Sequence, residues 1–128
     1  MDLQNKTALV VGGGSGIGLG IAVALAEEGC RVAVADCNAQ GLARAAAAYT
    51  GWPAIVTHPC NVTVRGDCAA LADWAWQQLG RLDIVVNTAG INVARRKMCE
   101  LDPADFDRIM SVNCTGFYNV LHAKPAAV

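Results

Sequence analysis

A glycine-rich run directly after a short apolar segment is the first feature of this chain that could do chemistry. Gly12, Gly16 and Gly18 follow the apolar residues 7–11 with the spacing G-x-x-x-G-x-G, and an apolar segment of helical length begins immediately after them. Glycines at such a junction allow a tight turn and let backbone N–H groups at a helix N-terminus approach a pyrophosphate. A P-loop would end in Gly-Lys-Ser/Thr, whereas this run ends in Gly-Ile-Gly, which excludes a P-loop.

A single carboxylate ends the next apolar segment. Asp36 follows Gly18 at the distance where an acid can accept hydrogen bonds from the hydroxyls of an adenine-linked ribose. Its charge would repel a 2′-phosphate, and the positions best placed to supply a cation hold Ser15 and Cys37. The pattern therefore favours NAD over NADP. These residues alone leave two alternatives open, a solvated acid at a strand end and a methyltransferase that uses S-adenosylmethionine.

Short apolar runs alternate with segments of helical length along the whole chain, and this alternation predicts the scaffold. We expect strands at residues 7–11, 31–36, 54–58 and 82–87, and helices at residues 17–28, 38–49, 63–80 and 102–123. Asn38, Thr63 and Asp102 are the predicted N-caps of the last three helices. Right-handed βαβ crossovers then give an α/β fold with a parallel sheet and helices on both of its faces. Residues 1–128 have room for one domain.

Composition excludes several other classes of protein. The chain is 54% hydrophobic and 16% charged with a net charge of −1, and no basic stripe with interleaved aromatic residues indicates a nucleic-acid partner. The six cysteines form no C-x-x-C pair and no paired histidine ligands accompany them, so we expect no metal site. We expect reduced, mostly buried thiols in a cytoplasmic protein. No apolar run reaches the length of a signal peptide core or a membrane span.

Two further motifs complete a resemblance to a known family. Cys60-Asn61-Val62-Thr63 follows the third predicted strand, and Asn87-Thr88-Ala89-Gly90 follows the fourth. Together with the glycine loop and Asp36, they resemble the classical short-chain dehydrogenase/reductase family, whose N-N-A-G motif here has Thr88 for its second Asn. The second motif also disfavours the methyltransferase. The resemblance implies a Rossmann-like, doubly wound parallel sheet, truncated here after about four strands, and an NAD cofactor.

The resemblance also implies site residues. The implied cofactor-binding residues are Gly12, Gly14, Ser15, Gly16, Ile17, Gly18, Asp36, Cys37, Asn61, Val62, Asn87, Thr88, Ala89 and Gly90. Asn113 corresponds to the helix Asn of the family's proton relay and is the one implied catalytic residue. The chain departs from the family pattern at Val11, where a Thr is usual, and at Asn61, where an Asp is usual. We expect each departure to weaken cofactor binding modestly.

Asn113 also has an interpretation that does not depend on the family. It falls within an apolar stripe at helical spacing, and a polar side chain there must find hydrogen-bond partners. A structural Asn is therefore the alternative to a catalytic one. The stripe consists of Phe106, Ile109, Met110, Phe117, Val120 and Leu121.

The residues that would complete catalysis are missing from this sequence. In the family a Tyr and a Lys, spaced Y-x-x-x-K, and a Ser move the proton while a hydride passes between nicotinamide and an alcohol or carbonyl carbon. Here Tyr118 is followed four residues later by His122, and Tyr49 is followed by Gly51-Trp52-Pro53.

We therefore expect an incomplete NAD(P)-binding Rossmann domain that binds NAD(H), self-associates, and meets a small alcohol or carbonyl substrate only in a complete protein. The alternatives are a non-catalytic nucleotide-binding or interaction module and an inactive truncated gene product.

Overall fold

The computed structural model describes residues 2–126 of the chain. This part contains four parallel strands and five α-helices. The strands are β1 (Thr7–Val11), β2 (Arg31–Asp36), β3 (Val56–Pro59) and β4 (Ile84–Asn87). The helices are α1 (Gly16–Glu27), α2 (Ala39–Ala48), α3 (Arg65–Leu79), α4 (Pro103–Met110) and α5 (Gly116–His122), and a π-helical turn (Ser111–Thr115) joins α4 to α5. The strand order is β3-β2-β1-β4 with every pair parallel, which confirms the predicted fold class.

Alternation along β1 places the core on both faces of the sheet. Leu9 and Val11 pack with buried residues of α3 and α5, whereas Ala8 and Val10 pack with buried residues of α1 and α2. All five residues of β1 are buried. A strand covered on both faces has no polar side to alternate with, which is why residues 7–11 read as a continuous apolar run.

A carboxylate fixes β4 beside the start of β1. Asp83 Oδ2 accepts hydrogen bonds from the Thr7 N–H at 2.9 Å and from the Arg81 Nε–H at 2.9 Å. These hydrogen bonds lower the pKa of Asp83 to about 2, and the bond from Arg81 has the largest effect. The Asp83 carboxyl therefore stays ionised. Because Asp83 is held in this network, β4 begins at Ile84, whereas the sequence predicted a strand from residue 82.

Two of the three predicted N-caps are confirmed. The Asn38 side chain accepts from the backbone N–H groups of Gln40 and Gly41, and Asp102 accepts from Ala104. Thr63 was the wrong cap for α3, because Val64 occupies the cap position without a side-chain bond. The Thr63 hydroxyl instead donates to Asn61 Oδ1 at 2.7 Å.

The ends of several other elements differ by one or two residues from the predicted ones, β3 and α1 among them. β3 spans Val56–Pro59 rather than residues 54–58, since its ladder with β2 begins only where Val56 pairs with Ala33. Helix α1 runs Gly16–Glu27 rather than 17–28.

The π-helical turn divides the predicted last helix. A π turn takes in an extra residue, so every residue after it is rotated relative to a continuous α-helix. The predicted apolar stripe does not pack as one face on either side of the turn. Val120 is buried, but four members of the stripe are 42–57% exposed: Phe106, Met110, Phe117 and Leu121. Asn113 is also exposed, so its predicted position on a buried stripe is wrong.

The six cysteines are all free thiols, and only half of them are buried. Cys30, Cys60 and Cys68 lie in the core, whereas Cys37, Cys99 and Cys114 are exposed, so the expectation of mostly buried thiols is correct for three of the six. No group of three or more potential metal ligands occurs within residues 2–126. None of the helices described has the length and apolar character needed to cross a membrane.

Candidate functional site

A cavity of about 580 Å³ opens at the carboxyl ends of the strands. The chain order reverses between β1 and β4, since β2 and β3 lie on one side of β1 and β4 lies on the other. In an open parallel sheet, this reversal leaves a crevice between the loops that leave the two central strands. Residues that follow each of the four strands line the cavity.

The structure brings most of the predicted cofactor-binding residues together at this cavity. Those that line it are Gly12, Ser15, Gly16, Ile17, Gly18, Asp36, Cys37, Asn61, Val62, Thr88, Ala89 and Gly90. Gly14, Asn87 and Asn113 are not among the lining residues. Four residues that the sequence analysis did not select also line it: Val11, Cys60, Ile91 and Val112.

The glycine loop is shaped by close backbone approaches. Gly12 has a φ of +82°, and a Cβ on it would lie 2.6 Å from the backbone nitrogen of Ala89. A Cβ on Gly18 would collide with the carbonyl oxygen of Gly12 and the hydroxyl of Thr88. Glycine at these positions lets the N-terminus of α1 sit directly against the loops that follow β1 and β4.

The N-terminus of α1 can receive an anion. Its N-cap residue Ser15 makes no side-chain capping bond, and the first turn contains no acidic residue. The first N–H groups of a helix have no intrahelical acceptor, and the helix dipole adds partial positive charge at the same end. Gly16 and Gly18 in this turn line the cavity, so these donors border the space that a pyrophosphate would occupy.

The Asp36 carboxylate lies at the edge of the cavity with acceptor capacity left. Its Oδ2 accepts from the Gly14 N–H at 2.9 Å and its Oδ1 from the Asn38 N–H at 3.0 Å. An ionised carboxylate has about four lone-pair sites, so each oxygen can accept a further bond from a hydroxyl. A Cβ on Gly14 would lie 2.7 Å from Asp36 Oδ2, so Gly14 serves the site by allowing this approach rather than by lining the cavity.

Arg44 is a contact that the sequence analysis missed. Its Nε–H donates to the carbonyl oxygen of Gly14 at 3.0 Å, from the helix that begins just after Asp36. Gly41, three residues earlier, packs so closely that a Cβ on it would lie 3.1 Å from the Gly14 Cα. The i, i+3 spacing of a glycine and an arginine on α2 is the only sequence signal for this contact. A cation therefore holds the glycine loop, although Arg44 does not line the cavity.

Thr88 joins the loop after β4 to the end of β1. The Thr88 N–H donates to the Val11 carbonyl at 2.8 Å, and its hydroxyl lies 3.0 Å from the same oxygen and 3.2 Å from the Gly12 oxygen. The departure at Val11 is expected to weaken cofactor binding modestly, and that expectation stays a prediction. Here a hydroxyl on the opposite loop makes the connection between β1 and β4.

Asn87 and Asn113 both hold the loop after β4. Asn87 Oδ1 accepts from the Ala89 N–H at 3.1 Å. The Asn113 side chain binds both backbone groups of one residue, accepting from the Ile91 N–H at 2.8 Å and donating to the Ile91 oxygen at 2.9 Å. Asn113 therefore orients Ile91, which does line the cavity.

Asn119 is the buried polar residue of the last helices. Its Nδ2 donates to the Val62 oxygen at 2.9 Å, and its side chain lies in the core instead of that of Asn113. The periodicity of the sequence therefore pointed to the wrong asparagine as the buried one.

A family model described as short chain dehydrogenase matches residues 6–125. Momilactone A synthase from Oryza sativa subsp. japonica is 37% identical over 123 residues, which cover 94% of this chain and 44% of that protein. D-threitol dehydrogenase from Mycolicibacterium smegmatis is 40% identical over 94% of this chain and 46% of its own.

A solved structure, the 3-ketoacyl-(acyl-carrier-protein) reductase from Brucella melitensis complexed with NADH, superposes with a TM-score of 0.87 at 33% identity. That alignment covers 94% of this chain and 48% of the reductase. The chain thus spans about half the length of the relatives it matches. It belongs to the short-chain dehydrogenase family and corresponds to the Rossmann-fold, cofactor-binding portion of that family.

Proposed function

We propose that this chain binds NAD(H) in the cavity at the carboxyl ends of β1 and β4. The pyrophosphate would lie against the N-terminus of α1, and the adenine ribose would hydrogen-bond to Asp36. The Asp36 carboxylate carries this proposal, because it borders the same cavity as the uncapped helix and retains free lone pairs. The NADH named with the Brucella reductase supports it by similarity.

The proposal extends to the reaction and the location. The chain would supply the cofactor-binding part of an oxidoreductase that moves a hydride between NAD(H) and a small alcohol or carbonyl substrate, when the remaining half of the domain is present. The names of the relatives, a D-threitol dehydrogenase among them, favour this over a non-catalytic module.

A cytoplasmic location belongs to the same proposal and is supported by the six free thiols.

Asp36→Ala is expected to narrow the preference for NAD over NADP. The parent chain should bind NAD more tightly, since the carboxylate accepts bonds from ribose hydroxyls and repels a 2′-phosphate. Removing it should reduce the difference in binding free energy by about 1–3 kcal/mol, the range of a charge-assisted hydrogen bond to a ligand. Titration calorimetry with NAD and NADP on both proteins measures this difference.

Asp107→Ala is the matched control for that experiment. It removes the same charge from an exposed position on α4, away from the residues that line the cavity. Its preference between NAD and NADP should equal that of the parent. Equal or tighter binding of NADP by the parent chain would show that Asp36 does not select the cofactor.

The isolated chain is expected to self-associate. Within residues 2–126, β4 pairs only with β1, and Val85 at the centre of β4 is 43% exposed. An open strand edge can pair with another molecule, and the exposed side chains of α4 and α5 add an apolar patch nearby. Light scattering should give a mass above that of a monomer at roughly tens of micromolar, the range in which such surfaces associate.

A pair of variants tests which surface is responsible. Phe117→Ser should lower the measured mass, because Phe117 belongs to the exposed set on α4 and α5. Trp52→Ser removes an even more exposed aromatic residue before β3 and should leave the mass unchanged. A parent chain that stays monomeric at these concentrations would refute the prediction.

A further inference from the structure

One buried amide joins the last helix to the wall of the cavity. Asn119 lies on α5 and is 4% exposed, and its Nδ2 donates to the Val62 oxygen at 2.9 Å. Val62 is itself only 6% exposed and lines the cavity. The two residues are 57 positions apart in the sequence, so the bond belongs to the tertiary structure and not to a helix or a turn.

A second contact on α5 reaches the same residue. A Cβ on Gly116 would lie 2.6 Å from Val62 Cγ2, so this glycine allows α5 to approach closely. Residues three apart on a helix are neighbours on its surface, and Gly116 and Asn119 have this spacing. Helix α5 therefore meets the side chain of Val62 through Gly116 and its carbonyl through Asn119.

The residue that α5 contacts lies in the segment 60–64, which connects β3 to α3 and is called here the wall segment. Its first N–H, that of Cys60, donates to the Asp36 oxygen at 3.1 Å, and its last, that of Val64, closes a turn onto the Asn61 oxygen at 3.0 Å. Three of its five residues line the cavity. The wall segment thus adjoins the acid beside which the adenine ribose is proposed to bind.

Packing alone does not account for a buried amide at this position. No donor within residues 2–126 reaches Asn119 Oδ1, and a buried acceptor without a partner costs free energy. The Val62 oxygen would keep a donor without Asn119, since the Cys68 Sγ–H donates to it at 3.7 Å. The effect of the amide should therefore lie in where it holds the wall segment.

We infer that Asn119 is a positioning residue for the cofactor, which acts through the Val62 carbonyl to hold the wall segment at the adenosine end of the cavity. Asn119 is not among the residues that line the cavity. An adenosine group bound beside Asp36 would lie between that acid and the wall segment, so it would lose contacts if the segment moved away. This step rests on the proposed function, because it takes NAD as the ligand.

Asn119→Leu in the 128-residue chain tests this role, because leucine keeps the branched shape of asparagine and removes the donor. NAD should bind about two- to tenfold more weakly, the range expected for the loss of one hydrogen bond. Amide hydrogen exchange in the wall segment should become faster. The unfolding temperature without NAD should stay close to that of the parent, since the unpartnered acceptor is removed together with the bond. A merely structural role predicts a lower unfolding temperature and an unchanged affinity for NAD.

ADP separates the two ends of the cavity, since it carries the adenosine and pyrophosphate groups of NAD without the nicotinamide. Asn119→Leu should weaken the binding of ADP and of NAD by the same factor. A variant that binds ADP as the parent does, but NAD more weakly, would place its effect at the other end of the cavity and would overturn the inference.

Gly116→Ala disturbs the wall segment without changing the amide. The added Cβ would press on Val62 Cγ2, so ADP and NAD should again bind more weakly than to the parent. Gly66→Ala on α3 is the matched control, because a Cβ there meets nothing within 4 Å, and its affinity for NAD should equal that of the parent. This pair decides whether the position of Val62 matters even if Asn119→Leu does not fold.

Unchanged affinity for NAD and ADP in both Asn119→Leu and Gly116→Ala would overturn the positioning role. A parent chain that binds neither ligand would refute the proposed function instead. In that case the exchange rates of the wall segment would still show whether Asn119 holds it, and equal rates in Asn119→Leu and the parent would show that it does not.

Discussion

Gly18→Ala is expected to destabilise the chain by about 1–3 kcal/mol, the usual cost of forcing extra atoms into a packed site, and to weaken NAD binding at least about tenfold. The added Cβ would collide with the Gly12 oxygen and the Thr88 hydroxyl. Gly12 is held in place, because its N–H donates to the Ala35 oxygen at 2.8 Å and its φ of +82° is one that residues with a Cβ rarely adopt. Thermal unfolding and calorimetric titration with NAD measure the two effects.

Gly20→Ala is the control on the same helix. A Cβ at Gly20 meets nothing within 4 Å, so this substitution should stabilise the chain by about 0.5–1 kcal/mol through the better helix propensity of alanine. The two variants should therefore shift the unfolding temperature in opposite directions. If Gly18→Ala were as stable as Gly20→Ala and bound NAD as the parent does, the close approach of α1 to the β4 loop would not matter for the site.

The parallel sheet could be predicted because its strands are simple to recognise. β1 and β2 are short apolar runs that end in a glycine loop and an acid, and both occupy the predicted residues. The caps at Asn38 and Asp102 were also predictable, since each lies directly before a segment of helical pattern. Local residue types decide these features, and no distant contact overrides them.

The register of the last helices could not be predicted in the same way. Residues 102–123 carry an α-helical pattern throughout, but the chain takes a π-helical turn at Ser111–Thr115. Inside this turn, Asn113 binds both the N–H and the carbonyl of Ile91. Such a contact joins residues 22 positions apart, so only tertiary structure reveals that Asn113 faces the loop after β4 while Asn119 is buried.

The candidate site, like the fold, could be predicted from the sequence only in part. The residues around the cavity follow strand ends, and sequence position alone brings most of them together. The hydrogen bonds that join the loops depend on which side-chain atoms meet in the folded chain, and position in the sequence does not reveal them. Thr88 replaces the expected asparagine and bonds to the Val11 carbonyl, and Arg44 reaches back from α2 to Gly14.

The 128-residue chain is expected to show no turnover of alcohols or carbonyl compounds with NAD(H). A positioned general acid or base contributes about 10²–10⁴-fold to a rate, and this sequence contains no Y-x-x-x-K to provide one. Tyr118 is 53% exposed, and its ring stacks on His122 at 5.1 Å between centroids rather than lining the cavity. An imidazole is not the permanent cation that a lysine ammonium is. The amide of Asn113 does not titrate near neutral pH and is already bonded to Ile91.

The measurement follows NADH absorbance with a broad panel of alcohols, aldehydes and ketones, on protein that has first been shown by calorimetry to bind NADH. A complete dehydrogenase serves as the positive control for each substrate, so that a flat trace reflects this chain and not the assay. Hydride transfer also requires the reacting atoms to be held about 3–3.5 Å apart. Turnover above the protein-free rate that vanishes in Tyr118→Phe would contradict this expectation and would make Tyr118 a catalytic residue.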